Sequence, residues 1–187
     1  MRPLPPDSVR GCIRRFIAQH VDLLGDDVLE CGGRVDPAVA TWMTARDLAR
    51  GAWTATDLAP GRNVDVVADL HCLPPNWRRR FTGVLCSEVL EHVRRPQIAL
   101  TELRRVLRPG GVLLVTTLTA FPIHNFPNDY RRWTEAGLAV ELEDAGFTSI
   151  KTSAAGSVTF TLNDHGEPGT VKRSCPVHVF AVARAPD

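Results

Sequence analysis

Residues 96–117, PQIALTELRRVLRPGGVLLVTT, carry the reading that decides the fold. Pro96 suits the first position of a helix, where its missing N–H costs no hydrogen bond. Ile98, Ala99, Leu103, Val106 and Leu107 then recur at helical spacing. Pro109, Gly110 and Gly111 end that helix, and GVLLVTT at 111–117 follows as a strand apolar enough to be covered on both faces. Such a strand belongs in a parallel sheet with helices above and below it.

The alternation extends in both directions. Towards the amino end, FTGVLCS (81–87), VDVVAD (64–69), AWTATD (52–57) and DDVLEC (26–31) read as strands, with a helix expected over 38–50. An amphipathic helix over 8–24 opens the chain, with Ser8 as N-cap, Val9, Cys12, Ile13, Phe16, Ile17 and Leu24 inward, and Gly25 as stop. Towards the carboxyl end comes a polar and aromatic loop over 118–133. Thr134 then caps a helix that turns Leu138, Leu142 and Ala145 inward and ends at Gly146. Strands near 147–154 and 177–184 have no helix between them, so they pair antiparallel, and 155–176 is a loop between them. The expected architecture is α/β: a Rossmann-like, seven-stranded, mostly parallel sheet with helices on both faces and a C-terminal antiparallel strand pair, in a single domain over 1–187.

Composition narrows the function. Hydrophobic residues make up 44% and charged residues 23% of 187, as in ordinary globular proteins. The formal net charge of +1 gives no electrostatic reason to expect nucleic acid, and Arg78, Arg79 and Arg80 read as a solvated basic run. Five scattered cysteines without a Cys-x-x-Cys pair fit a reducing compartment. With neither a signal-like start nor a membrane-length apolar run, the expected location is the cytoplasm, as a monomer or homodimer away from membranes.

In an open α/β sheet, ligands bind beyond the carboxyl ends of the strands. Those tips hold Glu30, Cys31, Gly32 and Gly33 after the first strand, then Asp57 and Leu58, Asp69 and Leu70, and Ser87 and Glu88, with Glu91 and His92 just beyond. Glycines let a ligand approach backbone N–H groups, and a carboxylate after the second strand suits ribose hydroxyls, so the rim describes a nucleoside site.

Taken in order, VLECGG, TDLAPGRNVDVVADLHCLP, VLCSEVLEHV, ALTELRRVLRPGGVLLVTT, FPNDYRRWTEAGL and EDAGF resemble the class I methyltransferases of the type-11 group over roughly residues 26 to 150. The resemblance implies S-adenosylmethionine as cofactor. Glu30 would lie near its methionine end, Cys31, Gly32 and Gly33 along it, and Asp57 with Leu58 at the ribose. Asp69 and Leu70 would meet the adenine, and Ser87 and Glu88 the methionine portion. The family's acid-x-Gly-x-Gly-x-Gly is here Glu30-Cys31-Gly32-Gly33-Arg34-Val35, which implies a different loop path or, as the alternative, loss of cofactor binding.

A sulfonium methyl is already electrophilic, so the protein mainly aligns a nucleophile, and a hydroxyl acceptor gains from a base. His92, His124 and Asp129 are the candidates on the acceptor side. Glu91-His92 lacks the second helical ligand of His-Glu-x-x-His, and His20, His71, His165 and His178 are too scattered to assign, so no metal is expected. The expected function is methyl transfer to an oxygen of a small-molecule or carbohydrate-like acceptor. A binding or regulatory protein that keeps the fold without turnover is the alternative. A nicotinamide-dependent oxidoreductase stands further off for want of Gly-x-Gly-x-x-Gly.

Overall fold

A seven-stranded sheet organises the chain in a computed structural model that describes residues 8–35, 45–48, 50–124, 128–163 and 170–187. Its strands, in chain order, are β1 (Asp27–Cys31), β2 (Ala52–Asp57), β3 (Val66–Val67), β4 (Phe81–Ser87), β5 (Leu107–Leu118), β6 (Thr148–Ala155) and, after two strands outside this sheet, β9 (His178–Arg184). They lie side by side as β3-β2-β1-β4-β5-β9-β6. The first five pair in parallel, and β9 runs antiparallel to both β5 and β6. The order reverses between β1 and β4, and a crevice opens beyond the carboxyl ends at such a reversal.

Helices cover both faces, as the apolar strand pattern requires. On one face, α1 (Val9–His20) packs Cys12, Phe16 and Ile17 onto Val28, Leu85, Leu114 and Phe180. Phe16 stacks on Phe180 with centroids 4.6 Å apart. The Ser8 hydroxyl accepts from the Gly11 N–H as the expected cap, a 3₁₀ turn over Val21–Leu24 continues the helix, and Gly25 ends it at φ +77°. On the other face, α2 (Pro96–Val106) and α3 (Glu135–Asp144) bury Ala99, Leu100, Leu103, Leu138 and Leu142 over Val84, Leu113 and Val115. Each of these leucines contributes roughly 1.5–3 kcal/mol. Truncating the fully buried Leu103 to Ala removes that and leaves a cavity, about 3 kcal/mol together.

Several expectations needed correction. The segment 64–69 contains a strand only at Val66–Val67, because the chain leaves the sheet edge at once towards Asp69. Helix α2 stops at Val106 rather than at Pro109, since Leu107 already pairs with Phe81, and Arg108, Pro109 and Gly110 form an irregularity inside β5. Most of the helix expected over 38–50 lies outside the described residues, and Ala45–Leu48 is a 3₁₀ turn. The stretch 155–176 is no plain loop: β7 (Val158–Asn163) and β8 (Thr170–Cys175) pair antiparallel as a separate ribbon.

The last strands do pair antiparallel. Along β6 the register shifts between Thr148 and Lys151, where Ser149 takes a left-handed φ of +50°. No helix among the described residues is long and apolar enough to cross a membrane.

Candidate active site

Two cavities open at the carboxyl ends of β1, β2 and β4, of about 430 and 330 Å³. They share Gly32, Arg34 and Glu88 in their linings, so they form one trough with two lobes. Gly32 sits at φ +70°, and a Cβ added there would lie 2.4 Å from Val89 Cγ2. A Cβ on Gly33 would lie 2.8 Å from that of Ala55. Only glycine fits at either place, and the bare backbone it leaves is what a bound nucleoside cofactor needs beside it.

The larger lobe holds the expected nucleoside residues. Asp57, at the tip of β2, accepts from the Ala59 N–H at 3.1 Å, and Arg34 Nε stands 3.8 Å from it. Leu58 and Leu70 line the same lobe. Asp69 is held by His71, whose backbone N–H and Nδ1 lie 2.9 and 2.6 Å from Oδ1. Burial raises the Asp69 carboxyl, but these bonds outweigh it and leave the group below its usual range. His71 Nε2 accepts from the Arg95 N–H at 3.2 Å, so Nδ1 carries the proton that points at Asp69.

The smaller lobe lies between α1 and the tips of β1 and β4. Glu30 lines it while accepting from Trp53 Nε1 at 2.8 Å and Asn63 Nδ2 at 3.3 Å. Burial raises its carboxyl, against the pull of those two donors. Arg10 and Arg14 of α1 face the same lobe. Cys31 departs from the expectation that it lies along the cofactor: its side chain is buried on the opposite side, directly across from Cys86. A hydrogen bond to Cys86 and burial push its thiol well up, so it stays protonated.

Glu88 stands where the lobes meet, in a left-handed backbone at φ +53°. Its carboxylate accepts from Thr116 Oγ1 at 2.9 Å, Ser87 Oγ lies 2.8 Å from that hydroxyl, and His178 Nδ1 comes within 3.3 Å. Non-glycine residues held in this region cost of order 1 kcal/mol and concentrate at functional sites.

The acceptor-side candidates gather at one end of the trough. The turn Leu90–His92 buries Glu91 completely, with Oε2 accepting from Thr117 Oγ1 at 2.9 Å and Oε1 without a partner. Burial, then the nearby Glu88 carboxylate, push Glu91 up to about 8. His92 lines the larger lobe, and its Nδ1 lies 2.5 Å from the Asn128 carbonyl, which leaves Nε2 as the free basic nitrogen. His124 meets the His92 ring edge-on at 5.0 Å, with Nδ1 3.2 Å from Asp129 but not aligned for a hydrogen bond.

Asp129 is not open to an acceptor. Arg132 grips both its oxygens at 2.5 and 2.7 Å, its side chain is 1% exposed, and the carboxyl is driven far below its normal range. Arg131 spends itself on the carbonyls of Val93 and Arg94, and Trp133 anchors the loop in the core. Glu91, His92 and His124 each bring one metal-type ligand atom within 4.8 Å of the others. The expectation of no metal weighed Glu91-His92 and the scattered histidines without His124, which arrives from the loop after β5.

Residues 34–115 match the family model of type 11 described as a methyltransferase domain. Over those residues the chain is similar to the methyltransferase domains of the type-11 group. The ubiquinone biosynthesis O-methyltransferase of Xanthomonas oryzae pv. oryzae is 32% identical over 127 residues, covering 57% of this chain and 49% of its own length. The protein of that name in Dechloromonas aromatica is 30% identical over 117 residues, at 57% and 50% coverage. The chain thus spans about half the length of the curated relatives it matches. Among solved structures, the Burkholderia thailandensis 1,6-didemethyltoxoflavin-N1-methyltransferase with bound S-adenosylhomocysteine superposes with a TM-score of 0.64 at 18% identity, over 100% of this chain and 93% of its own. An Archaeoglobus fulgidus S-adenosylmethionine-dependent methyltransferase gives 0.59 at 12%, over 96% and 97%. At those identities the superpositions establish the class I methyltransferase fold, which the domain's strand order shares.

Sequence reasoning set aside His71 as one of several scattered histidines, although its place two residues after Asp69 is the spacing of a side-chain turn. It also passed over Arg10 and Arg14, whose helix is separated from the glycine turn by a whole strand. His178 had no signal at all, because its contact with Glu88 joins opposite ends of the domain.

Proposed function

We propose that this chain transfers a methyl group from S-adenosylmethionine to an oxygen of a small-molecule or carbohydrate-like acceptor. The observation that carries the reading is the continuous trough in which Asp57, Asp69 and the Gly32-Gly33 backbone stand in the order a nucleoside cofactor requires. Asp57 would accept from the ribose hydroxyls, and Asp69, locked by His71, would accept from the adenine amino group. Gly32 and Gly33 would leave room along the chain, with Glu30 and the α1 arginines Arg10 and Arg14 around the amino-acid end. The cofactor supplies the electrophilic methyl group when bound.

His92 is the proposed base. Its Nδ1 bond to the Asn128 carbonyl presents Nε2 to the trough, and Nε2 would take the acceptor hydroxyl proton as the oxygen attacks. The Glu91 carboxyl lies 4.0 Å from that same Nε2 and, once ionised, would steady the resulting imidazolium. Asp129 takes no proton in this scheme; gripped by Arg132, it holds His124 edge-on against His92. The relatives named for ubiquinone O-methylation support an oxygen acceptor.

Calorimetry with S-adenosylmethionine and S-adenosylhomocysteine tests the reading, followed by turnover on a panel of phenols, small acids and sugars. Binding of both, with methylated product that persists in excess chelator, is the expected result; binding of neither at millimolar concentration sinks it. A silent binding protein is favoured by one observation, the Arg34 to Asp57 contact, which the ribose must share or displace. Binding without turnover across the whole panel would decide for it.

A further inference from the structure

At the opposite end of the sheet a second cavity of about 350 Å³ lies beside the carboxyl end of α2, lined in part by Arg78, Arg79, Arg104, Arg105 and Asp187. Arginines at a helix carboxyl end ordinarily offset its partial negative charge and cover its open carbonyls. Here the backbone covers them: the Arg79 N–H donates to the Arg105 carbonyl at 3.0 Å and the Arg80 N–H to that of Val106 at 2.9 Å. Arg105 is compensated, with Nε and one terminal nitrogen on Glu102 at 2.7 and 2.8 Å. The guanidinium groups of Arg78, Arg79 and Arg104 meet no acceptor among the described residues, and Nε of Arg104 is buried without a hydrogen bond.

The backbone adds an independent sign. Arg79 sits at φ +50°, a conformation that glycine or asparagine adopts more cheaply. The turn therefore does not explain an arginine there. Three guanidinium groups without an acceptor, against the side-chain and terminal carboxylates of Asp187, leave the cleft net positive.

We propose that this cleft binds a phosphate dianion, free or carried by a small phosphomonoester. A net positive cleft attracts a dianion, and guanidinium forks match phosphate oxygens pairwise. The volume admits the phosphate with a short carbon skeleton. The site is separate from the trough and needs neither cofactor nor methyl acceptor.

Titration calorimetry of the full chain with inorganic phosphate and with glucose 6-phosphate, against chloride at equal ionic strength, tests this without reference to methyl transfer. Saturable one-site binding is expected, weakening as the pH falls below about 6, where a phosphate monoester loses its second charge. Arg79→Asn keeps a side chain suited to the left-handed turn and should lower affinity at least tenfold while leaving the melting temperature unchanged or raised. Arg104→Gln should weaken binding similarly, and Asp187→Asn should tighten it severalfold. An equal response to chloride, an unchanged affinity in Arg79→Asn, or binding only to phosphatidic acid vesicles would overturn the proposal.

Discussion

Asp57 and Asp129 are both aspartates beside an arginine, yet they are committed to different degrees. Arg34 stands 3.8 Å from Asp57, whose side chain keeps 18% exposure at the mouth of the trough. Arg132 closes on Asp129 with two short bonds, and 1% exposure remains. A loose pair at the edge of a cavity can exchange its partner for a ligand's hydroxyls. A bidentate, occluded pair fixes the loop that carries it. The contrast separates a binding half of the trough, made of strand tips, from an acceptor half made of cross-linked irregular backbone.

The sharpest way to break this contrast is at His92, which the cross-linked loop positions. His92→Ala should lower kcat by a factor on the order of 10³ with cofactor affinity nearly unchanged, as steady-state kinetics beside calorimetry would reveal. An unaffected kcat would transfer the base role to His124. Asp57→Ala should weaken S-adenosylmethionine binding about 100-fold, since two charge-assisted hydrogen bonds are lost, while leaving thermal stability close to wild type. If stability fell instead, Asp57 would be as structural as Asp129.

Arg132→Ala strands the Asp129 carboxylate. It should cost about 2 kcal/mol in urea unfolding and reduce turnover, with cofactor binding intact. Equal loss of cofactor affinity would mean that the two halves are one unit. Per pH unit, the smallest effect belongs to Glu91. Its carboxyl is raised to about 8 in the folded chain against an ordinary value of 4.5, so between those limits the folded state binds the extra proton. Stability should therefore fall as pH rises from 5 to 8, by up to about 1.4 kcal/mol per pH unit from this group. Glu91→Gln should flatten that slope in unfolding measured across the range, and a slope equal to wild type would remove Glu91 from the account.

The same contrast governs what the sequence reveals. Strand periodicity fixes where β1, β2 and β4 end, so Glu30, Asp57 and Ser87 could be placed on the rim from local pattern alone. Asp69 reaches the same rim although β3 is only two residues long, because the segment still leads there. Cys31 failed on alternation: one residue past Glu30 on an extended strand, its side chain points to the opposite face. The early start of β5 was hidden because Leu107 satisfies helical spacing and strand pairing equally well. The roles of His92, His124 and Asp129 depend on Arg132 and on carbonyls brought together by irregular backbone, for which no period exists. The ribbon of β7 and β8 escaped although Val158, Phe160 and Leu162 alternate with Thr159, Thr161 and Asn163, because the Gly- and Ser-rich composition around that short run reads as a loop.

The edges of the main sheet bear on the behaviour of the chain at high concentration. One edge is β3, two residues long, and the other is β6, whose ladder is broken by the left-handed Ser149 and bears the exposed Lys151. A strand that is too short, or twisted out of register and charged, is a poor template for another chain's backbone. The sheet can thus hold an almost continuous apolar centre without seeding fibrillar aggregates from its rims.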